Sequence, residues 1–97
     1  MTIVTYLFLV SLVIILVAMR DHTETEAEIV SKVIDEITKK RKELGLSHQR
    51  LAEGAHLDRS TISLIESKKR IPSLLTTLRI CGVMKLSLAD LLKKYKV

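Results

Sequence analysis

The run from His56 to Arg70, HLDRSTISLIESKKR, combines side chains that suit contact with an anion. Arg59 can donate two parallel hydrogen bonds to the edge of a guanine, and the serine hydroxyls of the run can bond to several bases. The cations that close the run, Lys68, Lys69 and Arg70, suit phosphate oxygens. A helix face that is exposed to solvent and binds nothing often carries the same residue types. The pattern of the surrounding helices is therefore needed to distinguish a surface that contacts nucleic acid from an ordinary solvent-exposed surface.

Five helices are predicted over residues 29–97, because apolar residues recur there at helical spacing and no segment alternates as a strand does. The third of these helices carries the run and turns Ile62 and Ile65 inward. The fourth is predicted to begin near Pro72 and carries Leu74, Leu75, Leu78 and Ile80. The residues that cap, open or end the five helices are Gly45, Ser47, Asp58, Pro72 and Ser87.

Six short motifs follow one another between residues 34 and 92: GLS (45–47), LA (51–52), STIS (60–63), IE (65–66), Pro72 six residues after Glu66, and LSLADLL (86–92). Together and in this order they resemble the lambda-repressor-like helix-turn-helix family of the Cro or Xre type. The resemblance implies an all-α domain of five helices that binds duplex DNA as a dimer, with helix three in the major groove.

Helical geometry then assigns roles within the expected recognition helix, at about residues 58–67. Its outer face and N-terminal tip carry the candidates for reading bases, which are Arg59, Ser60, Ser63 and Leu64. The start of helix two and the loop after helix three carry the candidates for phosphate contact, which are His48, Gln49, Lys68, Lys69 and Arg70. The resemblance also implies a structural ion pair between Arg41 and Glu66.

The glycine pattern departs from that of the family at the ends of three helices. His56, Lys68 and Lys85 stand where the family often has Gly, and each is expected to adopt a left-handed or otherwise altered conformation at a cost of order 1 kcal/mol. Gly54 and Gly82 fall inside predicted helices, where each costs roughly 0.5–1 kcal/mol relative to Ala. A modestly stable domain is therefore expected.

Charge and motif content favour a binding protein over an enzyme. Residues 32–97 carry 15 Lys and Arg against 7 Asp and Glu, which suits an anionic partner. The run 39–42, KKRK, has two explanations, complementing the dipole of helix one or binding phosphate. Cys81 fits a small core residue better than a reactive thiol. No nucleophile motif, cofactor-binding loop or metal-ligand spacing occurs, so no catalysis, cofactor or metal is expected.

Residues 1–19 contain no charged side chain and would reach roughly 28 Å as a helix, close to the thickness of a bilayer core. We therefore expect a transmembrane helix there, followed by an acidic linker over 20–28. A cleaved signal peptide and a soluble or artefactual extension are the alternatives. Basic residues lie only after the segment, which favours a single-pass protein with its C-terminus in the cytoplasm of a bacterium. If the working protein lacks the segment, the protein is cytoplasmic.

These observations predict a sequence-specific transcriptional regulator that binds double-stranded DNA and is tethered to the inner membrane. The alternative is a membrane-anchored interaction module whose helix-turn-helix domain binds a protein partner. A homodimer is expected, because a lone domain touches only a few base pairs. The C-terminal helix is the candidate interface, with packing onto the core as its alternative explanation; its apolar residues are Leu88, Leu91, Leu92 and Tyr95.

Overall fold

The computed structural model describes residues 2–22 and 25–95, with the backbone alone described for 17–22. Within these residues the protein is all-helical. Thr23 and Glu24 of the expected linker, Met1, and the last two residues of the expected domain lie outside this description. The six helices of the described residues are α1 (Thr2–His22), α2 (Glu26–Glu43), α3 (His48–Ala55), α4 (Arg59–Glu66), α5 (Leu74–Val83) and α6 (Leu88–Lys94).

Helices α2 to α6 correspond to the five predicted helices and share one apolar core. α3 lies at its centre and packs against both α4 and α5. Each fully buried aliphatic side chain stabilises the fold by roughly 1.5–3 kcal/mol relative to an exposed one. The largest side chains that are fully buried are Ile37, Leu51, Ile62, Ile65 and Ile80.

Short polar side chains begin most of these helices. The hydroxyls of Thr25, Ser47, Ser73 and Ser87 each accept a hydrogen bond from the backbone N–H three residues later. Two expectations were wrong in detail. Asp58 occupies the N-cap position of α4 but makes no capping hydrogen bond through its side chain. Pro72 precedes the helix, because Ser73 supplies the cap and α5 begins at Leu74.

Helices α2 to α5 end in the same backbone motif. A residue in the left-handed region closes each end, and the N–H of the residue after it donates to a carbonyl five residues back. The expected left-handed conformations at three non-glycine positions are confirmed. The residues and their φ angles are Gly45 (68°), His56 (57°), Lys68 (64°) and Lys85 (53°).

The orientation of α5 differs from the expectation. Its buried residues are Thr77, Ile80 and Cys81, whereas Leu74, Leu75 and Leu78 are exposed. Because α5 is apolar around most of its circumference, hydrophobic periodicity alone does not determine which face packs inward. Thr77 tolerates burial because its hydroxyl donates to the carbonyl of Ser73 at 2.8 Å. Burial raises the pKa of the Cys81 thiol, in keeping with its packing role.

The N-terminal helix α1 carries exposed apolar side chains from Ile3 to Leu16. Within the described residues, no helix has both the length and the apolar character needed to cross a membrane. The expected transmembrane helix over residues 1–19 is therefore unsupported. The uncharged run lies at the short end of the range of about 17–25 residues that a spanning helix needs, and α1 continues through Arg20 and Asp21. The linker expected over residues 20–28 is also shorter than predicted, because α1 continues to His22 and α2 already begins at Glu26.

The two helical glycines are predicted to respond in opposite ways to alanine. A Cβ atom at Gly54 would lie 3.0 Å from both γ-methyl groups of Val83, a β-branched side chain with little rotamer freedom, whereas a Cβ atom at Gly82 would meet nothing within 4 Å. We expect Gly54→Ala to lower the free energy of unfolding by about 1 kcal/mol and Gly82→Ala to raise it by about 0.5–1 kcal/mol. Urea denaturation measures both, and stabilisation by both substitutions would contradict the close approach of α3 to α5.

Candidate nucleic-acid interface

A three-residue cluster, made of Arg41, His48 and Glu66, joins the helices that carry the candidate DNA-contacting residues. Arg41, near the end of α2, donates to both carboxylate oxygens of Glu66, at the end of α4: Nε to Oε2 at 2.7 Å and Nη2 to Oε1 at 2.9 Å. The two side chains are only 12% and 9% exposed. This paired geometry fixes the relative orientation of the two side chains as well as their separation.

The same cluster holds the start of α3. Nη1 of Arg41 donates to the carbonyl of Leu46, in the turn between α2 and α3, at 2.8 Å. Nε2 of His48, the first residue of α3, lies 3.2 Å from Oε1 of Glu66. One guanidinium and one carboxylate therefore connect α2, the turn after it, α3 and α4. The sequence interpretation gave His48 a phosphate contact, and the structure adds this internal contact.

The pKa of Glu66 reflects the balance between burial and its two partners. Burial by itself raises the pKa of this carboxyl, but the hydrogen bonds and positive charges of Arg41 and His48 together lower the pKa below its ordinary value of 4.5. The carboxylate is therefore ionised near neutral pH, and the cluster is intact there.

Helix α4 presents a polar face beside its buried one. Ile62 and Ile65 are each only 1% exposed and anchor α4 to the core. The candidate base-reading residues Arg59, Ser60 and Ser63 are exposed, and Leu64 is half-buried. The structure thus brings these four side chains to the accessible part of one helix, with Arg59 at its first turn. The side chain of Arg59 has no hydrogen-bond or ion-pair partner among the described residues.

The loop after α4 exposes positive charge at a position where the loops after α2, α3 and α5 bury a leucine. After α2, α3 and α5, the residue that follows the left-handed one is a leucine packed against the core: Leu46, Leu57 and Leu86. After α4 that position holds Lys69, which is exposed and is followed by exposed Arg70. Neither side chain has an ionic partner in the described part of the chain. These two cations are therefore available to an external anion.

Two other candidate phosphate ligands have partners within the chain. Lys68 Nζ lies 2.8 Å from Oδ1 of Asp35 on α2, an exposed pair, and Gln49 Nε2 donates to Oε1 of Glu53 at 3.0 Å. The contact of Asp35 with Lys68 was not predicted, because no local motif links residues so far apart in the chain. The role of the Leu46 carbonyl was not predicted either, since side-chain patterns carry no information about a backbone acceptor. Over the described residues, no group of His, Cys, Asp and Glu could hold a metal ion.

The geometry agrees with a comparison to known families. A family profile described as helix-turn-helix matches residues 37–91, which is more than half of the chain. The chain belongs to the Cro/C1-type helix-turn-helix family. This is a DNA-binding regulatory family whose members are usually not enzymes. No curated protein matches the chain. In this helix-turn-helix domain, α3 and α4 are the two helices of the motif, and His56 and Leu57 lie in the turn between them.

The cluster predicts a pH-dependent contribution to stability. At neutral pH we expect Glu66→Gln to lower the free energy of unfolding by about 2–3 kcal/mol, because Arg41 loses its charged partner in a largely buried site. Since the pKa of Glu66 is lowered on folding, this contribution is complete above pH 4.5 and is lost as the pH falls through the folded-state pKa. The difference between the native chain and the variant should therefore shrink in acid.

The matched control is Asp35→Asn, which breaks the exposed pair with Lys68 and should cost less than about 1 kcal/mol. Urea denaturation followed by circular dichroism, at neutral pH and below pH 4, provides the comparison. Equal losses for the two variants, or a Glu66→Gln difference that does not change with pH, would contradict this role for the cluster.

Proposed function

We propose that the protein is a sequence-specific transcriptional regulator whose helix α4 enters the major groove of duplex DNA. The observation that carries this proposal is the exposed polar face of α4, with Arg59 at its first turn and no partner for its guanidinium among the described residues. A major groove admits one α-helix, and a recognition helix uses its N-terminal residues to contact base edges. Membership in a family of DNA-binding regulators supports the same function.

In this proposal, one set of residues contacts the bases and another set contacts the phosphates. Arg59 contacts a guanine through two hydrogen bonds, Ser60 and Ser63 bond to neighbouring base edges, and Leu64 lies against a thymine methyl group. Lys69 and Arg70 contact phosphates beside the groove, because both are exposed and neither has an ionic partner in the part of the chain that the structure describes. Specificity therefore depends mainly on Arg59, and affinity depends largely on the loop.

The cations and polar groups with internal partners make smaller contributions. Lys68 must leave Asp35, and Gln49 must leave Glu53, before either can contact a phosphate fully. His48 also has an internal partner, and it can donate to a phosphate through Nδ1 while Nε2 stays near Glu66 only when both ring nitrogens carry a proton. The backbone N–H groups at the start of α3 add a further phosphate contact, since Ser47 satisfies one of them and leaves others open.

Binding of duplex DNA by the full chain, measured over a range of salt concentrations, tests the proposal. The affinity should fall steeply with salt, because each neutralised phosphate releases counterions and adds about −0.9 to the logarithmic slope. We expect Lys69→Ala to weaken binding to all sequences and to reduce the slope by about 1. Arg59→Ala should instead lower affinity for the preferred sequence, selected from a random duplex library, by roughly 1–3 kcal/mol and erase that preference.

Lys93→Ala is the matched control, because it removes the same charge from the exposed surface of α6. This variant should bind as the native chain does, apart from a small uniform effect of net charge. Absence of duplex binding at low salt would contradict the proposal and would favour a protein partner. Equal effects of Lys69→Ala and Lys93→Ala would contradict the role of the loop.

A further inference from the structure

The two ring nitrogens of His48 have different surroundings. Nε2 lies 3.2 Å from Oε1 of Glu66, and the side chains of His48 and Glu66 are 30% and 9% exposed. Nδ1 has no hydrogen-bond partner among the described residues and is not buried, so it is open to solvent. One edge of the imidazole therefore contacts the protein, and the other edge is available to an external group.

The Glu66 carboxylate determines which ring nitrogen carries a proton. The lowered pKa of Glu66 keeps this carboxylate ionised near neutral pH, and an ionised carboxylate only accepts hydrogen bonds. Nε2 must therefore be the donor. A neutral imidazole has a single N–H, so Nδ1 of the neutral ring is an acceptor and cannot donate to a phosphate oxygen. Only the doubly protonated ring donates to Glu66 and to a phosphate at once.

The charges around the ring act on its protonation in opposite directions. The Glu66 carboxylate of α4 favours the positively charged ring, whereas the Arg41 guanidinium of α2, which binds the same carboxylate, disfavours it. Within the described residues no other charged side chain contacts His48, the loop cations at 68–70 included. The other charged residues at the end of α2, on α3, at the start of α4 and on α5 are Lys42, Glu43, Arg50, Glu53, Arg59 and Arg79. A phosphate at Nδ1 adds a second negative charge and shifts the balance toward the charged ring.

We propose that His48 is a proton-dependent phosphate ligand, which makes DNA binding stronger as the pH falls from about 8 to 6. This inference rests on the proposed function, because the phosphate belongs to the DNA complex. His48 is the first residue of α3, beside the open backbone N–H groups at the start of that helix. Histidine is the side chain whose charge ordinarily changes between about pH 5 and 8. Since the complex holds a proton that the neutral free ring lacks, acid strengthens binding, and the gain is lost as the pH rises and the ring loses its proton.

The expected pH dependence is one proton for each bound domain. The C-terminal helix α6, which the sequence made the candidate dimer interface, packs onto the core instead: Leu91 is 6% exposed, and Leu88, Leu92 and Tyr95 pack against the buried cluster. Two copies that bind neighbouring half-sites would each take up a proton, so the dependence per duplex would double.

Fluorescence anisotropy of the full chain with a labelled duplex, at constant salt and at pH 6, 7 and 8, tests the inference. One proton changes affinity by at most about tenfold per pH unit, and we expect the native chain to bind at least about fivefold more tightly at pH 6 than at pH 8. His48→Gln should remove this difference, because an amide N–H donates at every pH. The logarithmic salt slope of the native chain should be steeper at pH 6 by up to about 0.9, since one more positive charge meets a phosphate.

His56→Asn is the matched control, because His56 is an exposed histidine in the turn after α3 and asparagine tolerates its left-handed conformation. This variant should keep the native pH dependence. Circular dichroism at pH 6 and pH 8 verifies that each chain is folded. Equal affinity of the native chain at both pH values, or a pH dependence that His48→Gln leaves unchanged, would overturn the inference.

Nuclear magnetic resonance of the histidine ring nitrogens in the isotope-labelled chain measures the protonation itself. Without DNA at pH 8, we expect the His48 ring to carry its proton on Nε2 and none on Nδ1. Duplex added at pH 7 should increase the doubly protonated form. A neutral ring with its proton on Nδ1 would contradict donation to Glu66 and would also overturn the inference.

The two proposals fail separately. If duplex binding depends on salt and Arg59→Ala erases sequence preference, but affinity does not change with pH, the role of His48 is wrong and the DNA-binding proposal stands. Absence of duplex binding at pH 6 and low salt overturns the proposed function, and the inference about His48 with it.

Discussion

The carboxylate of Glu66 is the point on which the arrangement of the helix-turn-helix domain depends. Arg41 holds both of its oxygens, His48 approaches one of them, and the same guanidinium reaches the Leu46 carbonyl. Apolar packing of Ile62 and Ile65 keeps α4 on the core, but packing alone leaves small rotations of a short helix open. The directional hydrogen bonds of the cluster remove that freedom, so the outer face of α4 points in one direction.

The helix ends show how the chain separates stability from function. After α2, α3 and α5, the left-handed residue is followed by a leucine that packs against the core. In the same backbone motif at the end of α4, the residue after the left-handed one is Lys69. The position that holds a core-packed leucine at the other three helix ends therefore presents a charge to solvent here. Left-handed His56, Lys68 and Lys85 each carry a conformational cost that glycine would avoid. At Lys68 the ion pair with Asp35 offsets part of that cost.

Sequence patterns predicted the five-helix domain well, because caps and glycine-permissive ends are local signals. They failed where more than one face of a helix is apolar: Ile80 and Cys81 of α5 are buried, whereas its leucines 74, 75 and 78 are exposed, and packing against α3 determines which face is inward. They also could not reveal the Lys68–Asp35 pair, which depends on tertiary positions. The Gln49–Glu53 hydrogen bond joins residues four apart on α3, so helical spacing could have indicated it. For residues 1–19 hydropathy favoured a membrane span, and no helix of the described residues meets the requirements for one.

In the proposed complex, the outer face of α4, whose orientation the Glu66 cluster fixes, is the surface that meets duplex DNA. Amide chemical shifts of the isotope-labelled chain, recorded while a duplex of mixed sequence is added at low salt, locate this surface. We expect the largest changes on residues 59–64, on 47–49 at the start of α3 and on 68–70, with little change along α6. Changes concentrated on α6 or along α2, with the amides of α4 unaffected, would contradict it.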